Sequence, residues 1–171
     1  MLRYPDNAQV EYLASKKRMV TISDSVEMRT PADRVWQWLC DLPDHFVEWH
    51  PAHHSCRVLR GRLWEPATVV EFEEDLHGRR HRLRFEVDHV TPGREISYHS
   101  GRWLRGHFHV APLNGRSRFT AELSFGPPGL GATLDRLLAR LFRGRMAAAQ
   151  QHQREEGSNL KRLLEHRTDA P

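Results

Sequence analysis

The chain has 171 residues, 39% of them hydrophobic and 28% charged, with a formal net charge of +4. That composition suits one folded globular domain large enough to bury most of its apolar surface. No apolar run approaches the roughly 20 residues that span a bilayer, and the first residues show no apolar core of a signal peptide, so a cytoplasmic protein with no membrane partner is expected. The basic excess comes almost wholly from arginine: the lysines are Lys16, Lys17 and Lys161 among 26 basic residues. These are spread along the chain between acids and match no nucleic-acid-binding motif, so no nucleic acid is expected as a partner. Cys40 and Cys56 form no CxxC pair and read as reduced core residues.

Residues 1–18 are polar and weakly periodic and read as an N-terminal extension; residues 19–168 form the predicted domain. From Met19 to Met28, Val20, Ile22, Val26 and Met28 alternate with polar residues, the pattern of a half-buried strand. Asp24 interrupts its apolar face, which suggests a bulge or an edge position reaching water. Thr30-Pro31-Ala32-Asp33 then reads as a helix start with Thr30 as the cap. The helix buries Val35, Trp36, Leu39 and Cys40 and stops near Asp41. A short irregular or helical piece, Asp44 to His50, is bracketed by Pro43 and Pro51.

Six strands follow, near Ser55–Arg60, Thr68–Leu76, His81–Val90, Glu95–Ser100, Gly106–Ala111 and Ser117–Phe125. Gly61, Gly78, Pro92-Gly93, Gly101 and Asn114-Gly115 separate them. These connections are too short for parallel crossovers, so the sheet is antiparallel. One long helix, Ala132 to His166, closes the chain with a stripe of Leu134, Leu138, Leu141, Phe142, Ala149, Leu160 and Leu163. This order resembles the START-like (SRPBCC) superfamily, which includes polyketide cyclases. The resemblance implies an α+β helix-grip fold, in which a curved antiparallel sheet wraps a long C-terminal helix around an internal cavity.

Three places put polar residues where periodicity assigns the core. On the long helix, with Leu138 at zero and 100° per residue, Glu156 falls at about 0° and His152 at about −40°. Their i,i+4 spacing sets imidazole beside carboxylate. An internal His–Glu pair or a local exposed break would also produce this pattern. On the strand Thr68–Leu76, Glu74 shares parity with Val70, Phe72 and Leu76, whereas Glu71, Glu73 and Asp75 share the other face. An edge position near Gly78 is the alternative there. Before the strand Ser55–Arg60, Trp49-His50-Pro51-Ala52-His53-His54 holds three histidines, and the pattern alone does not select one. Two carboxylates facing one cavity repel unless a proton or a cation lies between them. A divalent ion removes that conflict, and mixed His/Glu sets suit zinc.

At these residues a narrower resemblance emerges. Trp49-His50-Pro51-x-His53, Phe72-Glu73-Glu74 leading to Leu76-His77-Gly78, and His152-x-x-x-Glu156-Gly157-x-Asn159-Leu160 resemble the diacetylphloroglucinol and phloretin hydrolases. The resemblance implies a zinc (or other divalent metal) site held by His53, Glu74, His152 and Glu156, with His54 as the alternative first ligand and His50 as a supporting partner. It implies hydrolysis of a carbon–carbon or ester bond in a small hydrophobic or aromatic acyl compound. The tyrosine that this family places before its Trp-x-Pro motif is replaced here by Phe46. Candidate proton donors to the leaving group are His81 and Tyr98, then His107 or His109. Two other functions fit the same cavity: a non-catalytic carrier of a hydrophobic small molecule, and a metal-free polyketide cyclase. A homodimer is compatible with the sequence.

Overall fold

The computed structural model describes residues 20–76, 78–126 and 143–166, with only the backbone of residues 143–146. The elements are β1 (Val20–Met28), α1 (Ala32–Cys40), α2 (Leu42–Trp49), β2 (His53–Arg60), β3 (Val69–Leu76), β4 (Arg79–Thr91), β5 (Glu95–Ser100), β6 (Leu104–Leu113), β7 (Arg116–Phe125) and α3 (Arg143–His166). The strands form one seven-stranded sheet in the order β1-β7-β6-β5-β4-β3-β2, antiparallel at every pairing. The sheet is curved, and α3 packs on β1, β7 and α2, giving the helix-grip architecture. The expected N-terminal extension and the expected stripe residues Leu134, Leu138, Leu141 and Phe142 lie outside the described residues.

In β1 the alternation holds: Ile22 and Met28 are buried while Thr21, Ser23, Ser25 and Glu27 are exposed. The ladder to β7 runs without a register shift, so no bulge forms at Asp24. β1 is indeed an edge strand, but Asp24 lies against α3. A Cβ placed on Gly157 would come within 3.2 Å of Asp24 Oδ2, so the missing side chain is what lets helix and strand approach. Arg154 Nε stands 3.9 Å from Asp24 Oδ1 and supplies its countercharge.

The start of α1 differs from expectation. Pro31, in an extended conformation, is the N-cap and no side chain caps the helix. Thr30 is buried instead, its hydroxyl without a hydrogen-bond partner among the described residues. The buried stripe is Val35, Trp38, Leu39 and, in α2, Leu42, which makes Trp38 rather than Trp36 the deeper indole. In α2, Pro43 occupies the first turn, and the helix ends at His50, which is extended (φ −148°, ψ 142°). The following Pro51 forbids helical geometry at His50 by steric clash, so the chain must turn there.

At the far end of the sheet, β3 wears its acids outward. Glu71 bonds Arg57 and Arg84 at 2.6 and 2.8 Å, Glu73 meets Arg82 at 3.4 Å, and Asp75 bonds His54 at 2.8 Å. This cross-strand charge ladder fixes the register of β2, β3 and β4. Register decides function here, because a one-residue slip would exchange Glu74 for Glu73 on the inner face.

Candidate functional site

Between α3 and the inner face of the sheet lies a cavity of about 650 Å³. Phe46, Phe72, Leu83, Phe85, Phe108, Leu123 and Phe125 give it apolar walls. Tyr98 also lines it, its ring folded flat over Gly106, where any Cβ would collide with the ring and the phenolic oxygen. Trp103, 61% exposed, stands at the rim. Among the described residues, the polar side chains of the lining are Glu74, Asp75, His152, Gln153 and Glu156, with Tyr98 beside the aromatic wall.

A bulge in β2 aims the first histidine. His53 pairs with Glu74, yet Ser55 pairs with Glu73, so His54 is an extra residue in the ladder. With it, both His53 and Cys56 point inward; strict alternation would place them on opposite faces. His54 is thereby turned outward to Asp75 and Arg80. His53, 1% exposed, stacks on Phe46 with ring centroids 4.0 Å apart.

The Phe46 carbonyl, which can only accept, makes Nδ1 of His53 a donor. That Nδ1–H donates at 3.0 Å, which leaves the Nε2 lone pair free in the neutral ring. That nitrogen faces Glu156 Oε1 at 3.1 Å, His152 Nε2 at 3.3 Å and Glu74 Oε2 at 3.7 Å. His152 Nε2 is in turn 3.4 Å from Glu74 Oε2 and 3.6 Å from Glu156 Oε1. Two imidazoles and two carboxylates from β2, β3 and α3 therefore converge on one point. Burial pulls the pKa of His152 down, but the hydrogen bond to Glu74 and the charge of Glu156 outweigh it, and the net shift is upward.

The ring nitrogens of His50, His53 and His152 all lie within 4.8 Å of one another, but His50 is committed elsewhere. Its Nδ1 accepts from the Ala52 N–H at 3.1 Å, and its Nε2 donates to Glu155 at 3.0 Å. Burial lowers its pKa against the pull of Glu155, in keeping with a neutral ring. The T-shaped contact of its ring with His152, 4.2 Å between centroids, steadies that side chain. Glu155, which helical geometry directs away from the cavity, thus still serves the site. Trp49 adds a second tie, donating its indole N–H to the Glu156 carbonyl at 2.9 Å.

His53, Glu74, His152 and Glu156 are donors of the kind that could hold a divalent cation. Tetrahedral zinc with bonds of about 2.0–2.2 Å has donor–donor edges of about 3.3–3.6 Å, and of the six separations among these side chains the five that involve a histidine run from 3.1 to 3.7 Å. Locking Nδ1 of His53 on a main-chain carbonyl is also how ligating histidines are oriented.

The other expected residues separate. Tyr98 lines the cavity; His81 pairs with Glu74 across β3–β4 but is not part of the lining. His107 and His109 alternate with the inward Gly106, Phe108 and Val110, so both lie on the outer face, and His107 meets Glu95 at 3.5 Å. Their role as proton donors to a cavity ligand is therefore corrected. The expected stripe of α3 holds where it is described, with Leu160 buried, Leu163 packed on the core and Ala149 lining the cavity, but it also takes in Gln153, Gly157 and Leu164, and His152 and Glu156 lie on the flank facing the cavity. Gln153 escaped the sequence reading. On the same helical wheel it falls at about 60°, roughly 20° from Leu160, which was signal enough.

A curved sheet gripping a helix over a lined apolar cavity defines the helix-grip class of fold. The chain belongs to the family described as polyketide cyclase / dehydrase and lipid transport, whose model matches residues 19–165. Among solved structures it is similar to the Zhui aromatase/cyclase from Streptomyces sp. R1128, with 17% identity, a TM-score of 0.69, and 89% of this chain and 97% of that one covered. It is also similar to TTHA0849 from Thermus thermophilus (15% identity, TM-score 0.66, 88% and 100% covered). A START superfamily protein from Mycobacterium smegmatis matches at 14% identity and a TM-score of 0.53, with 77% and 95% covered. At these identities the likeness shows the fold. No functionally curated protein matches the chain in sequence. No helix among the described residues is long and apolar enough to cross a membrane.

Proposed function

We propose that this domain takes a small, largely apolar, ring-containing molecule into its cavity and holds the polar end of that molecule against His53, Glu74, His152 and Glu156. The observation that carries this is the cavity itself: about 650 Å³ with aromatic walls and one polar side, the size and character of a small-molecule site. The family and the aromatase/cyclase likeness support a cyclase or a carrier better than the hydrolase that the sequence motifs suggested. For a cyclase, the paired imidazoles and carboxylates offer bases and acids side by side, and Tyr98 offers a hydroxyl. The test is titration with bicyclic and tricyclic aromatic ketones, followed by quenching of Trp49 fluorescence and by product analysis. Binding with ring closure supports a cyclase and binding without turnover a carrier; no binding at all rejects the reading.

A second reading rests on the spacing of the four donor atoms and the locked tautomer of His53. In it, His53, Glu74, His152 and Glu156 hold a divalent metal, zinc by preference. The bound ion would supply electrophilic polarisation of a ligand carbonyl and acidification of water. The residues around it would position the ligand, exclude water from the apolar walls and deliver protons, with Tyr98 at the cavity wall and His81 beside Glu74. The measurement is the metal content of untagged protein purified without chelator. Stoichiometric zinc supports this reading, and its hydrolytic branch then requires release of an acid from an aryl ketone or ester. Metal-free protein that zinc does not stabilise removes it.

A further inference from the structure

Trp103 differs from every other tryptophan of the chain. Trp38, Trp49 and Trp64 are buried and Trp36 is half-buried, whereas Trp103 is 61% exposed. A tryptophan can bury about 150–250 Å², so most of that surface stands open here. Single exposed apolar residues are common on proteins, but the position of this one is not arbitrary. Among the described residues the other large exposed hydrophobics are Val47, Val58 and Leu59, and none of them lines the cavity; Trp103 does.

The meander brings Trp103 to the cavity mouth. It ends the three-residue connection between β5 and β6. β7 ends and β1 begins at the same end of the sheet, with Phe125 paired to Val20 on one side and to Leu104 on the other. β3 and β5 are both antiparallel to β4, so β3 ends there too, at Leu76. Val20, Leu76 and Phe125 all line the cavity, which gives this end an apolar rim. The Gly126 N–H donates to the Trp103 carbonyl at 2.9 Å. That bond fixes the backbone of Trp103 on the end of β7 and leaves its ring open to whatever reaches the mouth.

The polar side of the cavity lies across the sheet. Glu74 is on β3, and Trp103 joins β5 to β6. The two are two to three strand spacings apart, or about 10–14 Å along the sheet. We propose that Trp103 is a specificity-determining residue whose indole stacks on the ligand ring farthest from His53, Glu74, His152 and Glu156. This inference rests on the reading of the cavity as a small-molecule site and adds a length to it. A flat ketone of two fused rings, held by its oxygen at the polar side, stops short of Trp103. One of three linearly fused rings reaches it.

The experiment measures binding of 2-acetylnaphthalene and 2-acetylanthracene, which share a polar end and differ by one ring, by calorimetry on wild type, Trp103→Ala and Trp103→Phe. Wild type is expected to bind the three-ring ketone about tenfold more tightly than the two-ring one, from the added stacking and burial. Trp103→Ala should bring the two within about twofold by weakening the longer probe alone, and Trp103→Phe should keep most of the preference. The residue is exposed, so the melting temperatures of both variants should stay near that of wild type. Equal affinity of wild type for the two ketones, or a preference that survives in Trp103→Ala, overturns the inference and leaves the cavity reading standing. Equal weakening of both probes by Trp103→Ala overturns the assignment of the far ring. Failure of wild type to bind either ketone takes down the cavity reading itself.

Discussion

The indole of Trp49 donates its N–H to the main-chain carbonyl of Glu156 across 2.9 Å, so the residue that ends α2 is tied to the backbone of the residue that brings a carboxylate into the site. Trp49 is 2% exposed, with Trp38, Phe46 and His53 set edge-on around it. Trp49→Phe keeps much of the packing and removes the donor. A loss of about 1–3 kcal/mol is expected by urea denaturation, from the unpaired carbonyl and the smaller ring. A change below a few tenths would show that the tie contributes nothing.

Zinc should stabilise the folded protein through the four converging side chains. At a hundredfold excess over its dissociation constant the linkage gain is about 2.7 kcal/mol, or a rise of roughly 5–10 °C in melting temperature for a domain of this size. His152→Ala and Glu156→Gln should abolish the rise, and His107→Ala, on the outer face, should leave it intact. An equal rise in all of them would mean that zinc binds elsewhere.

Gly157→Ala sets two effects against each other. Alanine favours the helix by about 1 kcal/mol, but its Cβ would stand 3.2 Å from Asp24 Oδ2, and Asp24 is held toward Arg154. We expect a net loss of about 1 kcal/mol in wild type and a net gain in an Asp24→Ala background. A double-mutant cycle with no coupling energy would contradict the close approach.

Gly106→Ala should be far costlier, because its methyl would occupy the space of the Tyr98 ring. Overpacking of this kind costs about 3 kcal/mol or more. Tyr98→Ala in the same chain should recover part of it, as read by chemical denaturation. Full stability of Gly106→Ala alone would show that the ring has room to move.

Acid should expose the charge ladder. The guanidinium groups of Arg84 and Arg57 hold the Glu71 carboxyl below its ordinary 4.5. A depressed carboxyl stabilises fully above its unfolded pKa, and that contribution is lost as the pH falls through the lower folded value. Glu71→Gln should therefore be less stable than wild type at pH 7, and the gap should close as the pH drops below about 4.5. A gap independent of pH would assign the effect to packing.

The elements were legible in the sequence where a short-range rule governs them. Period-two alternation marks β1 and β3, and the glycine turns mark the meander, because each depends on residues within a few positions. Parity placed Glu74 inward for the same reason, and helical spacing put His152 beside Glu156. Errors arose where long-range packing outweighed the local signal. Thr30 is buried rather than capping a helix, and Asp24 lies on an edge strand, as one of its two alternatives had it, but without a bulge. The α3 stripe also takes in Gln153, Gly157 and Leu164, because β1 selects which face of the helix is covered.

By itself the sequence determined the order of elements, the antiparallel meander and the residue types available to a site, since patterning and turn chemistry are written in neighbouring residues. The tertiary structure decided which histidine turns inward, through one extra residue in the β2–β3 ladder that no local pattern announces. It also decided that His50 commits both nitrogens to Ala52 and Glu155, and that Gln153 is buried on α3 among the residues beside the cavity. Those outcomes depend on partners up to a hundred residues away, and only the closed fold brings such partners within bonding distance.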